Sequence, residues 1–357
     1  MNLHQFFLFS LSLVALSACG GQATAQVTSS ASEKEKDARG FEVLRFNDIV
    51  DGKETYFSQF PASYKLASKK QGTVIRLDYT TDRYENDTVY QKHLNVYLPY
   101  GYDQNDTAKK YNVIYMQHGG GRSEDDLVTP GKVTTFQNEL DNLFDPDMGG
   151  DTPVIMVFPT FNLDKETGLN GNVMQNRVAV NYHLEVIHDI IPLVESRYNT
   201  YYTGSSEDEL IATRDHRAFT GYSAGGACTW YMSIKAFPYF RYFMPMSATS
   251  IGAEPTARGT TDTRATDLEG NWAQHKAAID AHPELPYFIY VSSGIKENNG
   301  PAPHDFVNYL SKQTDYFTFA RDPKVKKGLF YSVSRFPHLD EMSPYYIDNA
   351  LSVVFRD

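Results

Sequence analysis

The chain has 357 residues, 41% of them hydrophobic and 22% charged, with a formal net charge of -11. That composition can bury a full core and excludes a disordered chain, while the acidic balance argues against nucleic acid or an anionic membrane surface, both of which call for Lys and Arg in excess. The 25 Tyr and 22 Phe fit strands and core; some rings could equally line a cleft for a sugar or phenolic ligand.

Residues 5–18, QFFLFSLSLVALSA, form an apolar stretch of signal-peptide length, too short for a comfortable membrane span. It ends in Leu16-Ser17-Ala18-Cys19, which resembles a bacterial lipobox, although the preceding MNLHQ has no Lys or Arg. The expectation is a lipoprotein signal over 1–18 and lipidation at Cys19. That places the protein in a bacterial envelope, periplasmic or on the cell surface, touching the membrane only through its anchor. Cys228 is then a lone thiol, expected to pack as a small hydrophobe. Residues 19–40 read as a flexible tether, because they are small, polar and charged without apolar periodicity. The body is expected over 41–357, with 41–70 as an extension packed on it.

Strands are expected at 72–81 and 92–102, alternating apolar and polar and antiparallel to each other. YNVIYMQHGGG (111–121) reads as a buried strand running into a glycine-rich loop, and 152–160 as another apolar strand. Leu184, Ile187, Ile191, Val194 and Tyr198 recur at helical spacing, with Pro192 expected to kink that helix. HRAFTGYS gives the next strand and turn, followed by a helix over about 225–236. Later strands are expected at 240–248, 286–294 and 328–336, and EMSPYYIDNALSVVF closes the chain as a helix. Strands alternating with helices predict an α/β fold, a mostly parallel sheet of about eight strands covered on both faces, with ligands at the carboxyl ends of the strands.

Residues 221–226 read GYSAGG. Gly-x-Ser-x-Gly arises by accident in a chain this long roughly one time in ten, so its neighbours must decide. A serine hydroxyl is a poor nucleophile without a base in reach and a third group fixing that base's tautomer. Four histidines follow Ser223, namely His275, His282, His304 and His338; only His338 stands directly after an expected strand and before the closing helix. The acid belongs on the loop after the preceding strand, where Glu297 is the first carboxylate, with Asp305 and Asp315 further along. Ala224 and either Gly120 or Gly121 of the HGGG loop are candidate backbone donors to an oxyanion, each worth about 3 to 4 kcal/mol. HExxH, paired CxxC, the P-loop and GxGxxG patterns are all missing, so neither a required metal nor a cofactor is expected, and a structural metal is left open.

KHLNVYLPYGYD, YNVIYMQHGGG, HDIIPLVESRY, GYSAGGACTWYMSIKAFPYFRYFMPMSA and YYIDNAL together resemble family 1 of the carbohydrate esterases, the feruloyl and acetylxylan esterases. The resemblance implies an α/β-hydrolase fold, Ser223 as nucleophile, His338 as base and the carboxylate at 297 as acid. It also implies feruloylated or acetylated xylan and its oligosaccharides as partners. Three features depart from that family: Glu rather than Asp at 297, Arg335-Phe336-Pro337-His338-Leu339 around the base, and SATSIG after FMPM. Acetylxylan esterase, general carboxylesterase and exported acyltransferase are alternative activities. A glycan-binding lipoprotein built on an inactive hydrolase is the alternative of another class.

Overall fold

In the strand Val113–Gln117, Val113 and Tyr115 enter one hydrophobic cluster while Ile114 and Met116 enter a second. The strand Tyr287–Gly294 divides likewise, Ile289 and Val291 against Phe288 and Tyr290. Because side chains alternate across a strand, such sequences are stable only when both faces of the sheet are covered.

The computed structural model describes residues 35–84, 88–148, 150–163, 181–253, 266–297 and 302–356. The expected signal segment, Cys19 and the expected tether up to residue 34 lie outside them. The strands are β1 (Glu42–Val50), β2 (Lys53–Gln59), β3 (Thr73–Thr81), β4 (Tyr90–Leu98), β5 (Val113–Gln117), β6 (Ile155–Phe158), β7 (Arg217–Tyr222), β8 (Tyr242–Met246), β9 (Tyr287–Gly294), β10 (Thr318–Phe319) and β11 (Lys327–Ser334). Among the described residues nine of them form one sheet, in the order β10-β11-β9-β8-β7-β5-β6-β4-β3. Pairing is parallel from β10 through to β6, and antiparallel for β6 with β4 and β4 with β3. The strand beyond the expected eight is β10, whose two residues are too short to show a period.

The helices are α1 (Thr135–Leu143), α2 (Tyr182–Glu185), α3 (Ile191–Glu195), α4 (Glu207–Ala212), α5 (Ala224–Lys235), α6 (Leu268–Asp280), α7 (Ala302–Ser311) and α8 (Ser343–Leu351). Ile190, Val194, Trp230, Met232, Trp272, Phe306 and Leu310 pack on one face of the sheet. Phe136, Leu140 and Leu143 of α1 pack on the other with Tyr345, Tyr346 and Ile347 of α8. The kink expected at Pro192 takes the form of a π turn, Val186–Ile190, between α2 and α3. Proline lacks an amide hydrogen and its ring collides with the carbonyl four residues earlier; the wider turn accommodates both.

One boundary differs from expectation. Residues 35–40 belong to the body rather than to a tether: Arg39 forms a two-pronged pair with the buried Asp348, at 2.5 and 2.9 Å, and Ser58 Oγ donates to Asp37 at 2.7 Å. A run of charged residues resembles a linker only until its partners are known. The extension over 41–70 is the antiparallel hairpin β1–β2, tied to the sheet where Ser332 Oγ donates to the Tyr56 carbonyl at 2.8 Å.

Candidate active site

Strand β7 is buried throughout and ends at Tyr222; α5 begins at Ala224. Ser223 alone makes the turn, at φ 56° and ψ -114°. A serine in that region costs roughly 1 to 3 kcal/mol and persists only where the surroundings enforce it. The flanking glycines permit the enforcement. A Cβ on Gly221 would stand 2.5 Å from the Gly225 backbone, and one on Gly225 would stand 2.2 Å from the Gln117 carbonyl oxygen. Strand and helix therefore meet backbone to backbone, and the hydroxyl is thrust out at the carboxyl end of the sheet.

Two neighbouring strand ends deliver its partners. His338, after β11, places Nε2 3.0 Å from Ser223 Oγ, and Glu297, after β9, places Oε2 3.1 Å from His338 Nδ1. In this arrangement Nδ1 donates to the carboxylate and Nε2 accepts from the serine, the tautomer a general base requires. The Glu297 side chain is 4% exposed and that of His338 25%. The second carboxylate oxygen, Oε1, accepts from Ser247 Oγ at 2.6 Å and from the Gly294 amide at 2.7 Å. With both oxygens engaged, the longer Glu side chain is folded back until it reaches the imidazole as a shorter carboxylate would.

The HGGG loop lies against the turn. A Cβ on Gly119 would stand 3.8 Å from Ser223 Cβ, and one on Gly120 would stand 3.7 Å from Ala224 Cβ. Gly121 turns at φ 69° in open space. The contact thus brings Gly120 and Ala224 together. His118 fixes the loop from below: Nδ1 donates to the Gly119 carbonyl at 2.8 Å and Nε2 accepts from Thr160 Oγ1 at 2.7 Å. Burial lowers the His118 pKa, so the ring is neutral and acts as a brace.

The other candidates are placed elsewhere. Asp305 sits in α7, as its distance along the chain suggested. Asp315 precedes β10, and its carbonyl accepts from Lys327 Nζ at 3.4 Å. His275 is buried between Ser250 and Ser233, and burial pulls its pKa down to about 3. His304 is bonded to Tyr331 at 2.6 Å, and His282 rests near the Phe237 ring. Cys228 is a buried free thiol within the core, its pKa pushed up by desolvation.

Sequence reasoning missed Ser247, Tyr222 and the pair Arg122–Asp340. Tyr222 packs its ring 4.9 Å from that of His338. Arg122, one residue beyond HGGG, meets Asp340, two residues beyond the histidine, at 2.9 Å, and so joins the two loops that flank the serine. Ser247 carried one legible signal, its position just after a strand in the same parallel row as Ser223.

A mostly parallel sheet with Ser, Glu and His presented in that order at its carboxyl edge defines an α/β-hydrolase fold. The family described as "Putative esterase" matches residues 88–321, more than half of the chain. The chain belongs to this esterase family. It is 34% identical over 257 residues to endo-1,4-beta-xylanase Y of Acetivibrio thermocellus, covering 67% of this chain and 22% of that protein. An endo-1,4-beta-xylanase/feruloyl esterase of Xylanibacter ruminicola is 28% identical over 151 residues, covering 42% of this chain and 18% of that protein. The chain thus spans about a fifth of the length of these curated relatives. Among solved structures, a serine-to-alanine mutant of the feruloyl esterase module from Clostridium thermocellum, complexed with sinapinate, superposes with a TM-score of 0.67 at 27% identity, covering 84% of this chain and 94% of that one. A ferulic acid esterase from the anaerobic fungus Anaeromyces mucronatus shares the fold, with a TM-score of 0.56 at 18% identity over 83% of this chain and 96% of that one.

Proposed function

We propose that this chain is a serine esterase that releases feruloyl and related hydroxycinnamoyl groups from xylan-type polysaccharide through an acyl-enzyme. The observation that carries the mechanism is the relay of 3.0 Å from Ser223 to His338 and 3.1 Å from His338 to Glu297. Ser223 Oγ attacks the ester carbonyl as Nε2 of His338 takes its proton. Glu297 holds the imidazolium that results. The developing oxyanion lies between the amides of Ala224 and of Gly120 or Gly121, donors that need no rearrangement during the reaction. His338 gives the proton to the departing sugar oxygen, then takes one from water, whose oxygen attacks the acyl carbon; His338 passes that proton to Ser223 Oγ as the acyl bond breaks, which frees the acid and restores the serine hydroxyl.

The acyl group is inferred from the relatives. The superposed module was complexed with sinapinate, a hydroxycinnamate, and one curated relative carries feruloyl esterase in its name. Turnover of methyl ferulate compared with acetylated xylan tests this reading. Ferulate release at high kcat/KM with little acetate release is expected; the reverse preference would make the chain an acetylxylan esterase.

We also propose that the enzyme is exported and held in a bacterial envelope by lipid on Cys19. The apolar run 5–18 ending in Leu16-Ser17-Ala18-Cys19 supports this. Among the described residues no helix is long and apolar enough to cross a membrane. Labelling with a fatty-acid analogue should mark the wild type and spare Cys19→Ser; equal labelling of both would overturn it.

A further inference from the structure

Three potential ligands from two separate segments converge beside the HGGG loop. His93 lies on β4; Glu124 and Asp125 lie on the loop that continues from HGGG. Their ligand atoms all fall within 4.8 Å of one another. His93 Nε2 is 2.6 Å from Glu124 Oε1 and 3.7 Å from Asp125 Oδ2. Ligand atoms around a tetrahedral zinc ion with bonds of about 2 Å stand roughly 3.3 Å apart, a value these two separations bracket.

A second observation points to a missing partner. The Glu124 side chain is 3% exposed, yet its Oε2 has no hydrogen-bond partner; His93 Nε2, although close to Oε1, makes no hydrogen bond of acceptable geometry either. A protonated imidazole shared between two carboxylates would aim its N–H at one of them. Two buried polar atoms left unsatisfied side by side are costly unless a further group satisfies both.

The surroundings are built to hold this arrangement. Asn95, fully buried on β4, donates its side-chain amide to the carbonyls of Glu124 and Val128, each at 3.0 Å, and to Asp125 Oδ1 at 2.8 Å. Arg76 on β3 pairs with the same Oδ1, which leaves Oδ2 turned toward His93. Such outer contacts orient metal ligands. The His93 and Asp125 side chains are 26% and 29% exposed, so an ion has a way in and water can complete its coordination.

We propose that His93, Glu124 and Asp125 form a structural site for a divalent transition ion of the zinc class, fastening the loop that follows HGGG to β4. One imidazole with two carboxylates suits zinc better than calcium or magnesium, which prefer oxygen alone. No pattern in the sequence marks the site, because sheet pairing and loop path bring its ligands together. The ester chemistry runs on Ser223, His338 and Glu297, and the ion takes no part in it.

The test is calorimetric titration of tag-free full-length chain, stripped with EDTA, with zinc chloride. One zinc per chain should bind saturably and raise the melting temperature. Glu124→Gln and His93→Gln should each weaken binding by about tenfold or more and abolish the rise. Two variants are used so that a folding defect in one, visible in its melt, leaves the other as the test. Weak unsaturated binding alike in wild type and variants, stoichiometric binding unaffected by either substitution, or calcium binding tighter than zinc would each overturn the site.

Discussion

Ser247 donates its hydroxyl hydrogen to Glu297 Oε1 at 2.6 Å, while Oε2 of the same carboxylate faces His338 Nδ1 at 3.1 Å. Ser247 stands at the end of β8 with φ 54°, a second serine held in the left-handed region within one site. Its hydroxyl anchors the carboxylate that faces His338. Ser247→Ala should lower kcat about tenfold with KM unchanged, the worth of one hydrogen bond to a charged group. Ser247→Gly should lower kcat equally while holding or raising the melting temperature, since glycine relieves the backbone. If both variants kept wild-type kcat, the anchoring role would be wrong.

Glu297→Asp tests the folded-back carboxylate. The Asp side chain is shorter by one methylene, so it must give up either His338 or the grip of Ser247 and the Gly294 amide. A loss in kcat/KM of about ten- to a hundredfold is expected, smaller than the roughly 10⁴-fold loss for Glu297→Ala. Wild-type kinetics for Glu297→Asp would show that the retracted geometry does not matter.

The glycines around Ser223 and in HGGG should respond in opposite ways. Gly225→Ala would drive a Cβ to 2.2 Å from the Gln117 carbonyl oxygen and 2.7 Å from that of His118, displacing β5 and the HGGG loop together. About 3 kcal/mol of stability and most of the activity should be lost. Gly120→Ala meets Ala224 Cβ at 3.7 Å, ordinary contact, and should leave the melting temperature nearly unchanged.

Glu139, on α1, is 2% exposed, and burial raises its carboxyl pKa from 4.5 to about 7. Below pH about 4.5 the carboxyl is protonated in both folded and unfolded chains and nothing is lost. Between that pH and about 7 only the unfolded chain releases its proton, so stability falls as pH rises, by roughly 3 kcal/mol in total. Glu139→Gln should therefore stabilise the protein at pH 8 and leave it unchanged at pH 4. Denaturant melts at the two pH values check this; equal gains at both would contradict the assignment.

The parts of the site that follow from chain order were legible in the sequence. Ser223, Glu297 and His338 each succeed an apolar run, and parallel strands present their carboxyl ends along one edge. Ser247 was not legible as an anchor, because its bond to Glu297 depends on β8 lying beside β9, a pairing that no local pattern encodes. The capping box of α4, Ser206 with Glu209, is a local signal that went unread. Helix α6 is weakly amphipathic in sequence and gave no clear 3.6-residue stripe; it is fixed by the Asp267 cap and by the burial of Trp272 and His275. The anchoring of residues 35–40 was hidden for the same reason as Ser247, since the partner of Arg39 is Asp348, at the far end of the chain.

The most direct measurement is single-turnover hydrolysis of methyl ferulate by the wild type and by Ser223→Ala, with a fluorophosphonate probe applied to both. The relay at 3.0 and 3.1 Å predicts labelling confined to Ser223 and a fall in the hydrolysis rate of roughly 10⁴-fold or more on substitution at an unchanged melting temperature. Labelling or turnover that persisted in Ser223→Ala would contradict the account.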